Sequence, residues 1–169
     1  MATMTVETGS ASSTANSYSS VDDADTYHEK RLHVSTWTAA TDDNKEIALM
    51  WATRLIDEQV TWNGVTTSAT QALMWPRNLV YDRNGNAILS TTIPDWLKEA
   101  VAEYARYLIG EDRTTETNRD LAGFKEMKVD VLQMKMDPYK TKPVMPPSVW
   151  SMIQFYCTVI GRSKRLVRV

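Results

Sequence analysis

Gln71-Ala72-Leu73-Met74-Trp75-Pro76-Arg77 runs on through Asp82-Arg83-Asn84-Gly85 to Ile93-Pro94, and the rest of the 169-residue chain is read outward from it. The ring of Pro76 disfavours α geometry at the residue before it, so Trp75 is expected to end a short turn of helix. A large ring pinned at that point predicts a buried aromatic corner. Asn84-Gly85, lying between Leu79-Val80-Tyr81 and Ala87-Ile88-Leu89, is a two-residue hairpin signal because both residues tolerate positive φ. Pro94 then opens a helix, at a position where its missing N–H would have no partner anyway. Nothing in the stretch has the chemistry of an active site. It predicts architecture, with Trp75, Pro76 and Arg77 as the structural hub that sets the angle between the helices on either side. Arg77 has two readings: a cap on the corner's carbonyls, or a reach toward a neighbouring subunit.

Upstream, Ser20-Val21-Asp22-Asp23 is a capping-box-like start, and Val21, Ala24, Tyr27, His28 and Leu32 follow at helical spacing. Asp22, Asp23 and Asp25 suit the positive end of a helix dipole and read as solvated first-turn charges rather than as metal ligands. His28 and His33 read as packing or surface residues, because no second cluster of His or Cys accompanies them. Thr41-Asp42-Asp43-Asn44 starts a helix running to about Gln59, with Ile47, Ala48, Trp51, Ala52 and Leu55 as its apolar stripe. Trp62-Asn63-Gly64 is a turn.

Downstream of Pro94, Leu97, Ala100, Val101, Tyr104, Ala105 and Leu108 repeat at spacings of three and four, and Gly110 is a natural stop. Residues 111–120 are polar and predict a solvated loop, and 129–136 predict an extended segment. Prolines 138, 143, 146 and 147 predict a stiff stretch that launches a last helix, with Val149, Met152, Ile153, Tyr156 and Ile160 on one face and Gly161 as its end. The expected fold class is mainly α: a small helical bundle with a short β-hairpin or extended segments, and N- and C-terminal arms. The expected organisation is a flexible arm over 1–17, a helical domain over 18–136, and over 137–169 a proline-rich strut, a C-terminal helix and a basic tail.

Composition narrows the function classes. Lys and Arg number 19 against 21 Asp and Glu, for a formal net charge of -2, so the whole chain has no global attraction for phosphate. The single cysteine, Cys157, stands among Phe155, Tyr156, Val159 and Ile160 and reads as a small buried apolar residue; it cannot form a disulfide or a cysteine metal site within one chain. The N-terminus has no basic flank followed by an apolar core, and no apolar run is long enough to span a bilayer, so a soluble intracellular protein is expected, with no membrane partner. Six Trp and nine Met suggest core residues plus one or two interface anchors. There is no nucleophile elbow and no glycine-rich phosphate loop, and only two His could serve as bases. No enzyme activity, no catalytic or metal site and no cofactor are expected.

Ala15-Asn16-Ser17-Tyr18, the Asp22 to His28 helix, Trp37, the Lys45 to Leu55 helix, Trp62-Asn63-Gly64, the Gln71 to Arg77 stretch, Asp82-Arg83-Asn84-Gly85 and Ile93-Pro94 follow one another in an order that resembles head–tail connector adaptor proteins of tailed bacteriophages. The resemblance covers residues 15–110. It implies a structural virion protein at the neck: a mainly helical subunit of a dodecameric ring that docks below the portal protein and presents a surface to a downstream tail or stopper protein. It also implies a channel through which double-stranded DNA passes without sequence-specific binding, and a location in the virion after assembly in the host cytoplasm. In such families a C-terminal helix or arm grips the portal, which makes Trp150, Ile153, Tyr156, Arg162, Lys164, Arg165, Leu166 and Arg168 the candidate portal or partner interface. Sequences of this kind are also labelled as resembling a primosomal single-stranded-DNA-binding protein, and that replication-type function is the alternative. It calls for a basic groove with interleaved aromatics. The helical spacing of the aromatics and the acidic balance favour core placement, so the adaptor reading ranks first on sequence alone.

Overall fold

Local capping chemistry starts the helices. The structure is a computed structural model, described for residues 3–112, 114, 127–129, 132–134 and 145–160. The Ser20 hydroxyl accepts a hydrogen bond from the Asp23 amide at 3.0 Å and the Asp23 carboxylate accepts one from the Ser20 amide, which starts α1, Val21–Glu29. Leu32, expected on the apolar face of this helix, is 78% exposed, because α1 stops at Glu29 and the chain turns at His33 with φ 62°. The short α2, Ser35–Thr38, delivers Trp37 to the core. Thr41 caps α3, Asp42–Gln59, through the Asn44 amide. The buried face of α3 is Ala48, Leu49, Ala52, Leu55 and Ile56; Ile47, expected to lead the stripe, is 52% exposed. Leu49 and Ile56, two turns apart, take the place assigned to Ile47, which rotates the buried stripe relative to the expected one.

Pro94 caps α4, Asp95–Gly110, the helix against which α1, α2, α3 and α5 (Pro147–Ile153) all pack. Leu97, Ala100, Val101, Tyr104, Ala105 and Leu108 of α4 are all buried, as the three-and-four spacing predicts. Removing each of the larger side chains from water is worth about 1.5–3 kcal/mol, so this helix anchors the core.

Between and after the helices, short strands pair. β1 (Val60–Trp62) is antiparallel to β6 (Cys157–Val159), with Trp62 opposite Cys157; β2 (Val65–Thr66) is antiparallel to β3 (Arg77–Asn78); β4 (Met127–Val129) is antiparallel to β5 (Leu132–Met134). The expected mainly α bundle is thereby corrected to a mixed architecture, a helical core laced by three two-stranded ladders. The last helix shows the reason. Its apolar periodicity predicts helix as far as Ile160, yet α5 ends at Ile153 and the next apolar residues leave as β6 to cover the end of α3. Strands of two or three residues are too short for alternation to show in sequence, and the partner of β1 is supplied from the far end of the chain.

Two further expectations lie near the centre. No helical turn precedes Trp75: the Gln71 side-chain amide donates to the carbonyls of Leu73 and Pro76, and its oxygen accepts from the Ser68 amide, so the local carbonyls are occupied by a side chain. The Trp75–Pro76 peptide is cis. At the other end, the residues expected as an arm are drawn in. Glu7, 1% exposed, accepts hydrogen bonds from the Gly9 and Ser12 amides at 2.8 Å each, Ala15, Ser17 and Tyr18 are buried, and the Ala72 amide donates to the Ser12 carbonyl. Residues 137–144 of the expected strut and the basic tail 162–169 lie outside the described residues.

Candidate nucleic-acid interface

Arg77 sits at the inner end of the candidate site, with its donors turned on backbone carbonyls. The guanidinium donates to the carbonyls of Asn63 at 2.8 Å, Gly64 at 2.8 Å and Met74 at 2.9 Å, so it caps the corner, the first of its two readings. Gly64, at φ 71°, lets β1 turn into β2 beneath this guanidinium; a Cβ there would run into the Asn78 carbonyl. Next to it, Asp57 accepts from the Tyr18 hydroxyl at 2.6 Å, the Trp62 indole N–H at 2.9 Å and the Met74 amide at 3.2 Å, while the Trp75 amide donates to the Tyr18 oxygen. Burial pushes the Asp57 carboxyl above its usual range against the pull of these donors, and it drives the Tyr18 hydroxyl well up. The network fixes the Trp62 indole and the Trp75 backbone, while the buried Trp75 indole N–H has no partner.

From Trp75 an aromatic series leads outward. Trp75 meets Trp62 and Trp96 edge-on, with centroids 5.8 and 5.5 Å away, and Trp96 stacks face to face on Tyr156 at 4.0 Å and 2°. Tyr156 meets the edge of Phe155 at 5.1 Å, and the Arg83 guanidinium lies 5.9 Å above the Phe155 ring. Phe155 is 47% exposed and Tyr81 53%. In the 79–89 excursion Val80 and Ile88 turn inward and are joined by the Ile88 amide to the Val80 carbonyl, while Leu79, Tyr81 and Leu89 are exposed.

The remaining cations of the described residues are engaged elsewhere. Arg31 and Arg106 both bind Glu103, which is 1% exposed; burial pushes this carboxyl up, but the two guanidiniums win and hold it below the usual carboxylate range. Lys45 pairs with Asp25, which also accepts from the Trp37 indole, so Asp25 is a structural bridge and not the solvated charge expected. Arg54 pairs with Glu58 and Lys98 with Asp23. Lys30 lies in a cleft lined by Asp23, Asp95 and Glu99. Arg83, like Lys30, has no ion-paired carboxylate among the described residues, but its guanidinium lies over an exposed ring rather than in an acidic cleft. Its neighbour Asp82 turns back on the loop, accepting from the amides of Asn84 and Asn86 at 2.8 Å each and from the Asn86 side chain at 3.0 Å, donors that hold its carboxyl below the usual range.

Of the interface residues expected from sequence, three lie among the described residues, Trp150, Ile153 and Tyr156. Ile153 is fully buried, Tyr156 is 7% exposed, and Trp150 packs half-buried against the core. Arg162, Lys164, Arg165, Leu166 and Arg168 lie outside the described residues. His28 packs on Trp37 and approaches the Ala102 carbonyl at 3.2 Å, with burial pulling its pKa down. Cys157, pushed to about 12 by burial, is unreactive as a thiolate. No group of His, Cys, Asp and Glu among the described residues could hold a metal ion, and none of their helices is long and apolar enough to cross a membrane. A half-open cleft of about 450 Å³ beside Glu7, Ser20 and Lys98 has its charges already paired. Arg83, Phe155 and Tyr81 were missed as a set. The inward Val80 between outward Leu79 and Tyr81 was a usable signal, but Phe155 lay in a segment read as helix.

Comparison with known proteins gives one family. The model described as "Putative DnaT-like ssDNA binding protein" matches residues 2–169. No curated protein and no solved structure matches the chain. This match overturns the resemblance to phage head–tail connector adaptors, and with it the virion, neck, portal-binding and dodecamer descriptions that hung on that resemblance. The motifs that carried it are architectural, helix caps and a Trp-Pro corner, and such motifs report a fold without reporting what it binds.

Proposed function

The chain belongs to the DnaT-like ssDNA-binding family, and from that premise we propose that it binds single-stranded DNA. The observation that carries the reading is the match over essentially the whole chain, residues 2–169. Sequence-tolerant single-strand binders combine backbone electrostatics with exposed aromatic faces on which bases stack. The exposed Tyr81 and Phe155, with the unpaired Arg83 guanidinium over the Phe155 ring, are the elements of this chain that support such a mode. The six Trp do not: Trp37, Trp62 and Trp75 are buried, Trp51 and Trp150 pack partly buried against the core, and Trp96 is covered by Tyr156.

The balanced charge of the chain sets the expected strength. With a formal net charge of -2, affinity rests on stacking more than on phosphate neutralisation, so the salt dependence should be shallow. Fluorescence anisotropy of the full chain with labelled oligothymidine, and with a duplex of the same length, tests this. Single strand should bind in preference to duplex, with a logarithmic salt slope equivalent to about one to three phosphates. Absence of saturable binding at about 20 mM salt, where phosphate contacts are least screened, or equal affinity for duplex, would overturn the function.

A further inference from the structure

The face carrying Arg83 has a geometry that singles out one kind of ligand. Phe155 presents a ring whose position is fixed from behind by Tyr156, itself stacked on Trp96, and whose backbone is held because the Asn63 side chain donates to the Phe155 carbonyl and the Asn63 amide to the Tyr156 carbonyl. A π surface held this way loses little conformational entropy on binding. Arg83 hangs over it from a loop that is fixed independently: Asp82 accepts three hydrogen bonds from Asn84 and Asn86, and Gly85 supplies the positive φ of the turn at 86°.

We infer that Arg83 and Phe155, joined by the exposed Tyr81 of the same loop as Arg83, form a stacking site for one unpaired nucleobase whose adjoining phosphate is met by the Arg83 guanidinium. The inference deepens the single-strand reading and rests on it. A flat neutral ring fits between or beside a phenyl face and a guanidinium plane, both of which stack on bases. A cationic ligand does not fit, because the Arg83 charge repels it and the adjoining carboxylate in sequence, Asp82, is spent on its own loop. Duplex DNA does not fit either, since its bases offer no free face. The exposed Leu79 and Leu89 of the same excursion are the alternative, a surface for a protein partner. The experiment separates the two.

Full-length wild type, Phe155→Leu, Arg83→Ala and Tyr81→Ser are titrated with oligothymidine and with an abasic oligomer of the same length, and each variant's denaturation midpoint is measured alongside. The expected result is that removing the bases weakens binding to wild type by about tenfold, the stacking value of one to two bases. Phe155→Leu should lose a similar factor with oligothymidine and almost nothing with the abasic strand. Arg83→Ala should weaken both probes and lower the salt slope by about 0.7, one phosphate on a single strand. Wild type binding oligothymidine while all three variants match it, at unchanged midpoints, would overturn the stacking site, leave single-strand binding standing and assign the face to a protein partner. Equal affinity of wild type for abasic and base-bearing strands would overturn the stacking mode. No binding of either oligomer would overturn both the site and the function.

Discussion

The corner at residues 71–77 and the excursion at residues 79–89 are neighbours in sequence and opposites in environment. In the corner the charged groups are all partnered, and only the buried Trp75 indole N–H is left without an acceptor. Arg77 spends its donors on three loop carbonyls, Asp57 is ringed by donors, and Trp75 has no exposed surface. In the excursion Arg83 has a ring beneath it and no carboxylate, and Leu79, Tyr81 and Leu89 face outward. The difference teaches how one loop system divides its work: unmet binding capacity accumulates where backbone hydrogen bonds can be satisfied locally, as Asp82 satisfies them, so that side chains are free of structural duty.

Substitutions can break that contrast in order of effect. Trp75→Ala should be the most severe, about 4 kcal/mol from the cavity left in a buried aromatic cluster, read as a lowered denaturation midpoint. An unchanged midpoint would mean that the corner is not part of the cooperative core. Arg77→Ala should follow at about 2–3 kcal/mol, because it leaves several enclosed carbonyls without a donor; Arg77→Lys should restore only part of this, since one ammonium cannot reach all three. Arg83→Ala should change stability by less than about 0.5 kcal/mol, as expected for a surface side chain outside the packed core. If Arg83→Ala destabilised as much as Arg77→Ala, the division between structural corner and free excursion would fail.

Sequence made much of the helical frame legible because its signals are local. Ser20 with Asp23, Thr41 with Asn44, and Pro94 each place a helix start through contacts within one turn. The end of the last helix was not legible. Tyr156 and Ile160 continue a 3.6-residue spacing, and only the β1 edge waiting at Val60–Trp62 takes the chain out of helix at Cys157. Glu7 was equally hidden: a single acid in a Ser/Thr/Ala run gives no sign that its carboxylate will gather the amides of Gly9 and Ser12 and draw the N-terminal segment against the core.

By itself, then, the chain's sequence determined where α1, α3 and α4 begin, because caps act over a few residues. Tertiary structure decided the strand pairings, the rotation of α3 that leaves Ile47 outside, and which aromatics keep a face toward solvent. Those outcomes depend on what packs behind a side chain. Phe155 remains available because Tyr156, one residue on, is the ring that Trp96 captures.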